Sequence, residues 1–530
     1  MKNILTIATA CAFLAGGFCS CNDFLDEEVK SSVTAPDYYK TQAQAEANVN
    51  NLYRTGAPSV MSSVGSAYVG PFSSITSMLT GYFTNSYEGQ EFVCKYSREL
   101  TRQENTMNVS GTMDGVWDDC YKAINAANGA IKYIPSIAMD NNTSARLLGE
   151  AKFFRAYNYF LLVKTFGAVP MPTEPYESMD NLYLERTAAE TVYGLIESDL
   201  KDAVNALPAA KFYSNGNRVT KYAAAMMLAS VYMQENKYAD AATYAKMVID
   251  SPHALATNDN LELGSAYNKI RALDGLDESI YAYEFNESIS NGSWWPTYAF
   301  NSAATAVFGT YSIFERVMGP TNQFLNVYEA NDLRVQPNQF YHWKYTNPDN
   351  GKTWEADPAV GPGCWFFYEE NALLNSGRST KDRNLFRYAE ALLDGAEAIA
   401  QSSGVNAEAA GYLAQVKARA NMEGKTAAAI ATDLQKLSKE QFIEECWNER
   451  LREFPFEFKI WDDCVRTKKF PVISKTEKGK VQYVDLVGAQ NASGATFKQS
   501  DLLWPISLNE IQRNPNLTQN EGYQASSSSK

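Results

Sequence analysis

Glu449, Glu453 and Glu457 recur at four-residue steps in the stretch "NERLREFPFEF". Two carboxylates held at a fixed spacing are the tools of glycoside hydrolysis, one as acid and one as base or nucleophile. The stretch also carries Arg450 and Arg452, with Lys459 just beyond. Ion pairs at i,i+3 and i,i+4 on a helix account for the whole set without chemistry. The tetrapeptide "WDDC" occurs twice, at Trp117–Cys120 and Trp461–Cys464. Its paired acids would suit a cation only inside a ligand loop, and no Dx[DN]xDG pattern supplies one. The two histidines, His253 and His342, lie far apart and neither sits in an HExxH motif. A zinc hydrolase or a Ser-His-Asp triad therefore lacks its parts, and a GxSxG nucleophile elbow is missing too. The residues point to no catalytic group, no metal site and no cofactor.

Cysteine is the other reactive type, and its placement speaks of location. Lys2 is followed by the apolar run "ILTIATACAFLAGGF" and then small residues, the pattern of a secretory signal over residues 1–20. Cys21 follows Ser20 and precedes "NDFLDEE", so it reads as the acylated cysteine of a bacterial lipoprotein. Phe18-Cys19-Ser20 departs from the usual Leu-(Ala/Ser)-(Gly/Ala), which keeps Cys19 as an alternative processing site. Acyl chains at that point would tether a soluble domain to a membrane. Cys94, Cys120, Cys364, Cys446 and Cys464 form no CxxC and are odd in number, so buried free thiols are expected, with one disulfide as the alternative in an exported chain.

Composition narrows the partners. The 530 residues are 45% hydrophobic and 20% charged, which describes a folded globular chain. A formal net charge of −14 excludes the basic footprint of a nucleic-acid binder. Aromatics are abundant, with 32 Tyr, 26 Phe and 9 Trp, material either for a core or for the faces on which sugars stack.

These residues must be positioned by elements, and the apolar periodicity predicts helices. Val116, Cys120, Ile124, Ala127, Ile131 and Ile134 form one stripe, and Leu147, Ala151, Phe154, Tyr157 and Leu161 another. Thr143 or Ser144 suits the start of the second helix and Gly167 its end. A third stripe runs through Val192, Leu195, Ile196, Leu200 and Val204 to Pro208. The stretch "RVTKYAAAMMLASVYMQENKYADAATYAKMVIDSP" predicts two helices joined at Glu235-Asn236. Its Leu228, Ala229, Tyr232 and Ala241 resemble a tetratricopeptide repeat, whose small residues let paired helices approach. Residues 384–421 read as a second alanine-rich helix pair.

Residues 253–380 lose the helical period and gain Gly, Pro, Asn and aromatics, and 56–112 reads as a second irregular stretch. Long insertions on a repeat scaffold gather on one face and carry function. In "NGSWWPTYAF", Asn291 and Gly292 precede Trp294, Trp295 and Tyr298; in "FYHWKYTNPDNGKTWEAD", Tyr341, Trp343 and Trp354 stand beside Lys344, Asn347 and Asn350. Aromatic planes beside planar polar groups are what a sugar ring needs. These six aromatics, with Tyr87 or Tyr96 from the earlier stretch, are the glycan-binding candidates.

Several stretches in order carry a resemblance: "SCNDFLD", "WDDCYKAINAAN", "GEAKFFRAYNYFLLVKTFGAVP", "RVTKYAAAMMLASVYM", "NLFRYAEALLDGAEA", "ECWNERLREFPFEFKIWDDCVR" and "LLWPISLNEIQRNPNLTQNEGY". Over essentially its full length the chain resembles the SusD/RagB family of outer-membrane lipoproteins of Bacteroidetes. Ser507 and Glu521 are small departures, at places where an "IP" pair and a proline are common. The resemblance implies a mainly α, tetratricopeptide-like scaffold with long loop insertions, and a single domain over 21–530. Helical repeats would occupy about 113–250 and 384–465, ligand-side insertions 56–112 and 253–380, and a C-terminal segment 466–530 would end in a flexible tail. It further implies a non-enzymatic cell-surface protein that hands a glycan to a SusC-like TonB-dependent transporter. A peptide-binding lid of the same architecture, or a surface lipoprotein glycosidase or esterase, are the alternatives. The family shares no single set of binding residues, so the site rests on this sequence.

Overall fold

The computed structural model describes residues 39–62, 72–86, 92–178, 182–286, 292–300, 304–308 and 316–525. Cys19, Cys21 and Tyr87 lie outside them. The architecture is mainly α, as the periodicity predicts. Thr106–Tyr133, Asn141–Phe166 and Ala189–Ala206 pack as successive neighbours, and Lys221–Gln234 with Tyr238–Ile249 continues the array. The Tyr388–Ser403 helix then packs against Tyr238–Ile249, and against Ala407–Ala420 and Lys439–Glu453.

The Asn141–Phe166 helix differs from its predicted single stripe. Nearly every residue from Gly149 to Phe166 is buried, so it is the central rod of its group. Its cap is Asp140, whose carboxylate accepts the Thr143 N–H at 2.9 Å, and not Thr143 or Ser144. A polar side chain on such a helix needs a partner. Arg155 finds one in Asp199, at 2.7 and 2.8 Å across the helix interface.

The predicted helix pair is present, with the turn at Asn236, whose φ of 58° asparagine tolerates. Ala229 and Ala241 are both fully buried in it. Ala229→Leu should overpack this contact and cost about 1–3 kcal/mol. An unchanged melting temperature would show that the helices are not in close contact there.

The second pair is shorter than expected. Helices Tyr388–Ser403 and Ala407–Ala420 form, but Arg383–Arg387 is a strand, paired antiparallel to Ser279–Tyr283. This ladder ties the insertion to the scaffold and sets Arg383 and Arg387 at its two ends. Residues 56–112 also depart from an irregular reading: Ala57–Ser62, Phe72–Met78 and Phe92–Arg98 are short helices, and the long one begins at Thr106. Runs of six or seven residues are too short to show a helical period, which is why the sequence does not reveal them.

Candidate functional site

The groups that the sequence offers for catalysis, the three glutamates and the two histidines, are committed elsewhere. The Lys439–Glu453 helix ends before Glu457, so the three glutamates do not share one helical face. Only one local pair contributes, Arg452 to Glu449 at 3.3 Å. The other cations come from distant elements, because that helix face is buried against them. Arg334 meets Glu449 and Glu453 at 2.8 and 3.1 Å, Arg419 meets Glu453 at 2.6 Å, and Arg387 meets Glu457 at 2.6 Å. Burial would raise the Glu449 carboxyl, but Arg334, Lys417 and Arg452 hold it down at about 2. Such a group stays ionised and enclosed, unsuited to proton transfer.

Burial pushes both histidines down to about 4, His253 with help from Lys211 and His342 from Arg271. Each is a neutral core ring at pH 7. Of the "WDDC" acids, Asp463 pairs with Arg450 and Arg466 at 2.8 and 2.7 Å, Asp462 with Lys164, and Asp119 with Lys122 at 3.8 Å. The cysteines Cys94, Cys120, Cys364, Cys446 and Cys464 are buried free thiols.

The aromatic candidates divide into two groups. Tyr341 is fully buried, its hydroxyl against that of Tyr328 at 3.0 Å. Trp354 is buried edge-on against Phe300, with centroids 5.5 Å apart, and Tyr298 is buried beside Val317. These three present no open face to a sugar. For Trp354 the cause is an antiparallel hairpin of Lys344–Thr346 and Thr353–Glu355. Side chains alternate across a strand, so Tyr345 and its cross-strand partner Trp354 turn inward while Lys344 and Glu355 face water. "KYT" and "TWE" around an Asn-Gly turn are the sequence signal for that hairpin. Trp294, Trp343 and Tyr96 are half-buried and keep some surface.

Trp295 takes a third role. Though buried, it walls an open pocket with Phe285, Phe366, Phe367 and Tyr368, about 560 Å³ with its open solvent included. Its ring stacks on Phe367 (4.7 Å, 20°), and its indole N–H donates to the Ser62 carbonyl at 3.1 Å. Gly292 makes this placement possible: its φ is +68°, and a Cβ there would lie 2.9 Å from the Ser379 carbonyl. Ser293 bridges to Ser379 on the pocket wall, and the neighbours of these serines, Trp294 and Arg378, stack on each other with the guanidinium 3.2 Å from the ring centroid.

Two other openings are built differently. One of about 870 Å³ shares Arg383, Asn384 and Glu457 with the aromatic pocket, but many of its charges pair with each other, as Arg450 does with Asp394 and Lys459 with Glu390. Another lies along Ala407–Ala420 and Lys439–Glu453, without an aromatic residue in its wall. The 870 Å³ opening also carries Tyr157, Phe160, Phe386 and Phe458, but the Trp295 pocket adds a stacked pair, Trp295 on Phe367, beside polar side chains, an arrangement that suits a ligand with C–H faces and a hydroxyl rim.

Residues 23–233 match the family profile described as "Starch-binding associating with outer membrane", and residues 334–523 match that of the SusD family. SusD-like protein P2 of Formosa agariphila is 25% identical over 464 residues, spanning 84% of this chain and 88% of that one. The chain belongs to the SusD/RagB family. The SusD fold is equally plain in three dimensions. A SusD superfamily protein from Parabacteroides distasonis superposes with a TM-score of 0.75 at 24% identity, covering 91% of this chain and 99% of the other. Surface glycan-binding protein A from Bacteroides thetaiotaomicron, solved in complex with laminarihexaose, superposes with a TM-score of 0.67 at 17% identity, covering 91% and 100%. The description of the profile matched by residues 23–233 associates such chains with the outer membrane. Among the described residues no helix is long and apolar enough to cross one.

Within this SusD-like chain, Arg271, Phe285, Trp294 and Trp295 fall between the two matched stretches. Sequence reasoning also passed over Phe367, Tyr368 and Arg383. The signal for the first two is the run "CWFFYEE", too aromatic for an ordinary exposed loop; Arg383 in "KDRNLF" carries none.

Proposed function

We propose that this is a cell-surface lipoprotein that captures an oligo- or polysaccharide and delivers it to a SusC-like TonB-dependent transporter, without altering it. The observation that carries the reading is the open aromatic pocket of Trp295, Phe367 and Tyr368 with polar groups on its rim. A binder holds its ligand by stacking and rim hydrogen bonds, whereas a hydrolase needs a free acid–base pair. Here the buried glutamates are enclosed by guanidinium groups and both histidines are core rings. The relative solved with laminarihexaose adds a glycan-bound precedent for the fold. A glycan array read for binding, with reducing-end release measured on every hit, tests this. Binding without product is expected; product release would favour the glycosidase reading, and capture of peptides alone the peptide lid.

The surface location rests on Cys21. Cys21→Ala should release the protein from the membrane fraction and abolish labelling by a fatty-acid analogue. Burial of each acyl CH₂ contributes about 0.8 kcal/mol, and several chains make the hold lasting. Labelling retained in Cys21→Ala but lost in Cys19→Ala would move the processing site.

A further inference from the structure

The charges around the aromatic pocket are unevenly satisfied. Its three acidic wall residues are engaged. Glu457 is held by the forked donors of Arg387 at 2.6 to 3.1 Å, and Glu369 accepts the backbone N–H groups of Asn371 and Ala372 at 3.1 and 2.7 Å. Asp382 accepts the Phe285 N–H at 3.1 Å and the Tyr213 hydroxyl at 3.0 Å. Burial, with the neighbouring Asp274, lifts Asp382 to about 6, so it surrenders its charge more easily than an ordinary carboxylate.

The arginines of the wall are not engaged in this way. Arg271 donates only to the Asn268 side-chain oxygen at 2.8 Å and the Tyr368 carbonyl at 3.1 Å, while its guanidinium lies over Trp365 and Tyr368. Arg383 donates to the Phe456 carbonyl at 3.0 Å, its guanidinium packed over Trp295 and Phe458 at 4.7 and 4.4 Å from their centroids. Among the described residues neither forms an ion pair with a carboxylate, although the chain carries a net charge of −14. Arg271 and Arg383 are half-buried, whereas the buried Arg155, Arg334, Arg387 and Arg466 each meet at least one carboxylate. Among the described residues the buried Arg316, outside this pocket, meets only the Pro362 and Pro320 carbonyls. Burial lowers Arg271 to about 10 and Arg383 to about 9, the latter although the Glu457 carboxylate, itself held by Arg387, opposes the fall. A guanidinium stacked on rings keeps its in-plane N–H edge for a planar, two-oxygen acceptor.

We infer that this pocket selects a glycan bearing an anionic substituent, a uronate carboxylate or a sulfate ester, held by Arg271 and Arg383 while the sugar ring lies against the aromatic wall. The inference rests on the glycan-binding reading and adds the ligand class. A bound oxyanion would restore the missing counter-charge, and a neutral sugar would not.

The test is an array of neutral, uronate-bearing and sulfated glycans, followed by calorimetry on a galacturonate hexasaccharide, a carrageenan-type sulfated hexasaccharide and laminarihexaose. At least one acidic hexasaccharide should bind roughly tenfold or more tightly than the neutral one, with an affinity that falls as salt rises. Which of them binds separates carboxylate from sulfate. Arg271→Gln should reduce the ratio of acidic to neutral affinity roughly tenfold, and Arg271→Lys should restore part of it. Arg383→Gln is the second variant, since Arg271 sits on the Ala266–Ala272 helix and Arg383 on the Arg383–Arg387 strand, so a fold defect at one does not explain a changed ratio at the other. Neutral glycans bound as tightly as both acidic classes, or a ratio unmoved in both Gln variants, would overturn the inference and leave the glycan reading standing. An array on which no glycan binds would overturn both.

Discussion

Replacing Arg387 by methionine should lower folding stability by about 3–5 kcal/mol, the cost of leaving buried charges without their partner. Arg387 is 1% exposed and reaches Glu278 at 2.6 Å, Glu453 at 3.0 Å and Glu457 at 2.6 Å. It leaves the end of the Arg383–Arg387 strand and joins that ladder to the Lys439–Glu453 helix. Methionine fills much of the volume but strands three carboxylates, of which Glu278 and Glu453 retain only Arg419 and Arg334. Arg387→Lys should rescue little, because one ammonium cannot present the fork that spans three acceptors. Urea titration of the three proteins reads the effect. A midpoint for Arg387→Met equal to wild type would mean that the cluster relaxes into water on losing its cation.

Acid attacks the same network with a definite sign. Despite burial, which raises it, Glu449 is held at about 2 by its cations, and Glu445 likewise by Lys417 and Arg452, whereas in the unfolded chain both titrate near the ordinary glutamate value. Stability from these groups is therefore complete above the unfolded value, about pH 4.3. It should drain away as the pH falls from there toward 2. A melting temperature that held constant across that window would deny the depressed values.

Most of the helical scaffold was legible because its signals are repeated and local. Asn236 at the turn, the alanines at the helix crossing and Gly167 at a helix end each state their role within a few residues. The buried arginine–glutamate cluster was not legible. Its partners Arg334, Arg387 and Arg419 lie 115, 66 and 34 residues from the glutamates they meet. Locally the same glutamates offered only the i,i+3 and i,i+4 reading. The site was half legible for a related reason. "SWWPTY" announced aromatics in a turn, but which ring faces the pocket depends on Ser379 and Phe367, brought in from elsewhere in the insertion. Tyr341 and Trp354 went the other way, since strands of two and three residues give too few alternations to show which side is inward.

That division decides how the tryptophans must be tested. Trp295→Ala removes a ring packed on Phe367 and Phe458 and under Arg383, and it leaves the Ser62 carbonyl without its donor. A large-to-small change at such a position costs about 3–5 kcal/mol. Lost glycan binding in Trp295→Ala would therefore report a collapsed wall as much as a lost stacking face, and Trp354→Ala shares the ambiguity. Trp294 is the informative position. It is half-buried, and the half-buried Arg378 lies over its ring, where a sugar could replace it or extend the stack. Stacking residues of this kind contribute about 1–3 kcal/mol on aromatic platforms for bases, and a sugar face should behave alike. Trp294→Ala is thus expected to keep its melting temperature and lose roughly tenfold or more in glycan affinity, about 1.4 kcal/mol. Trp343→Ala, also half-buried, is the parallel variant for the hairpin side. If both keep wild-type affinity with the fold intact by circular dichroism, neither Trp294 nor Trp343 belongs to the platform, and the ligand would rest on the Trp295 pocket wall alone.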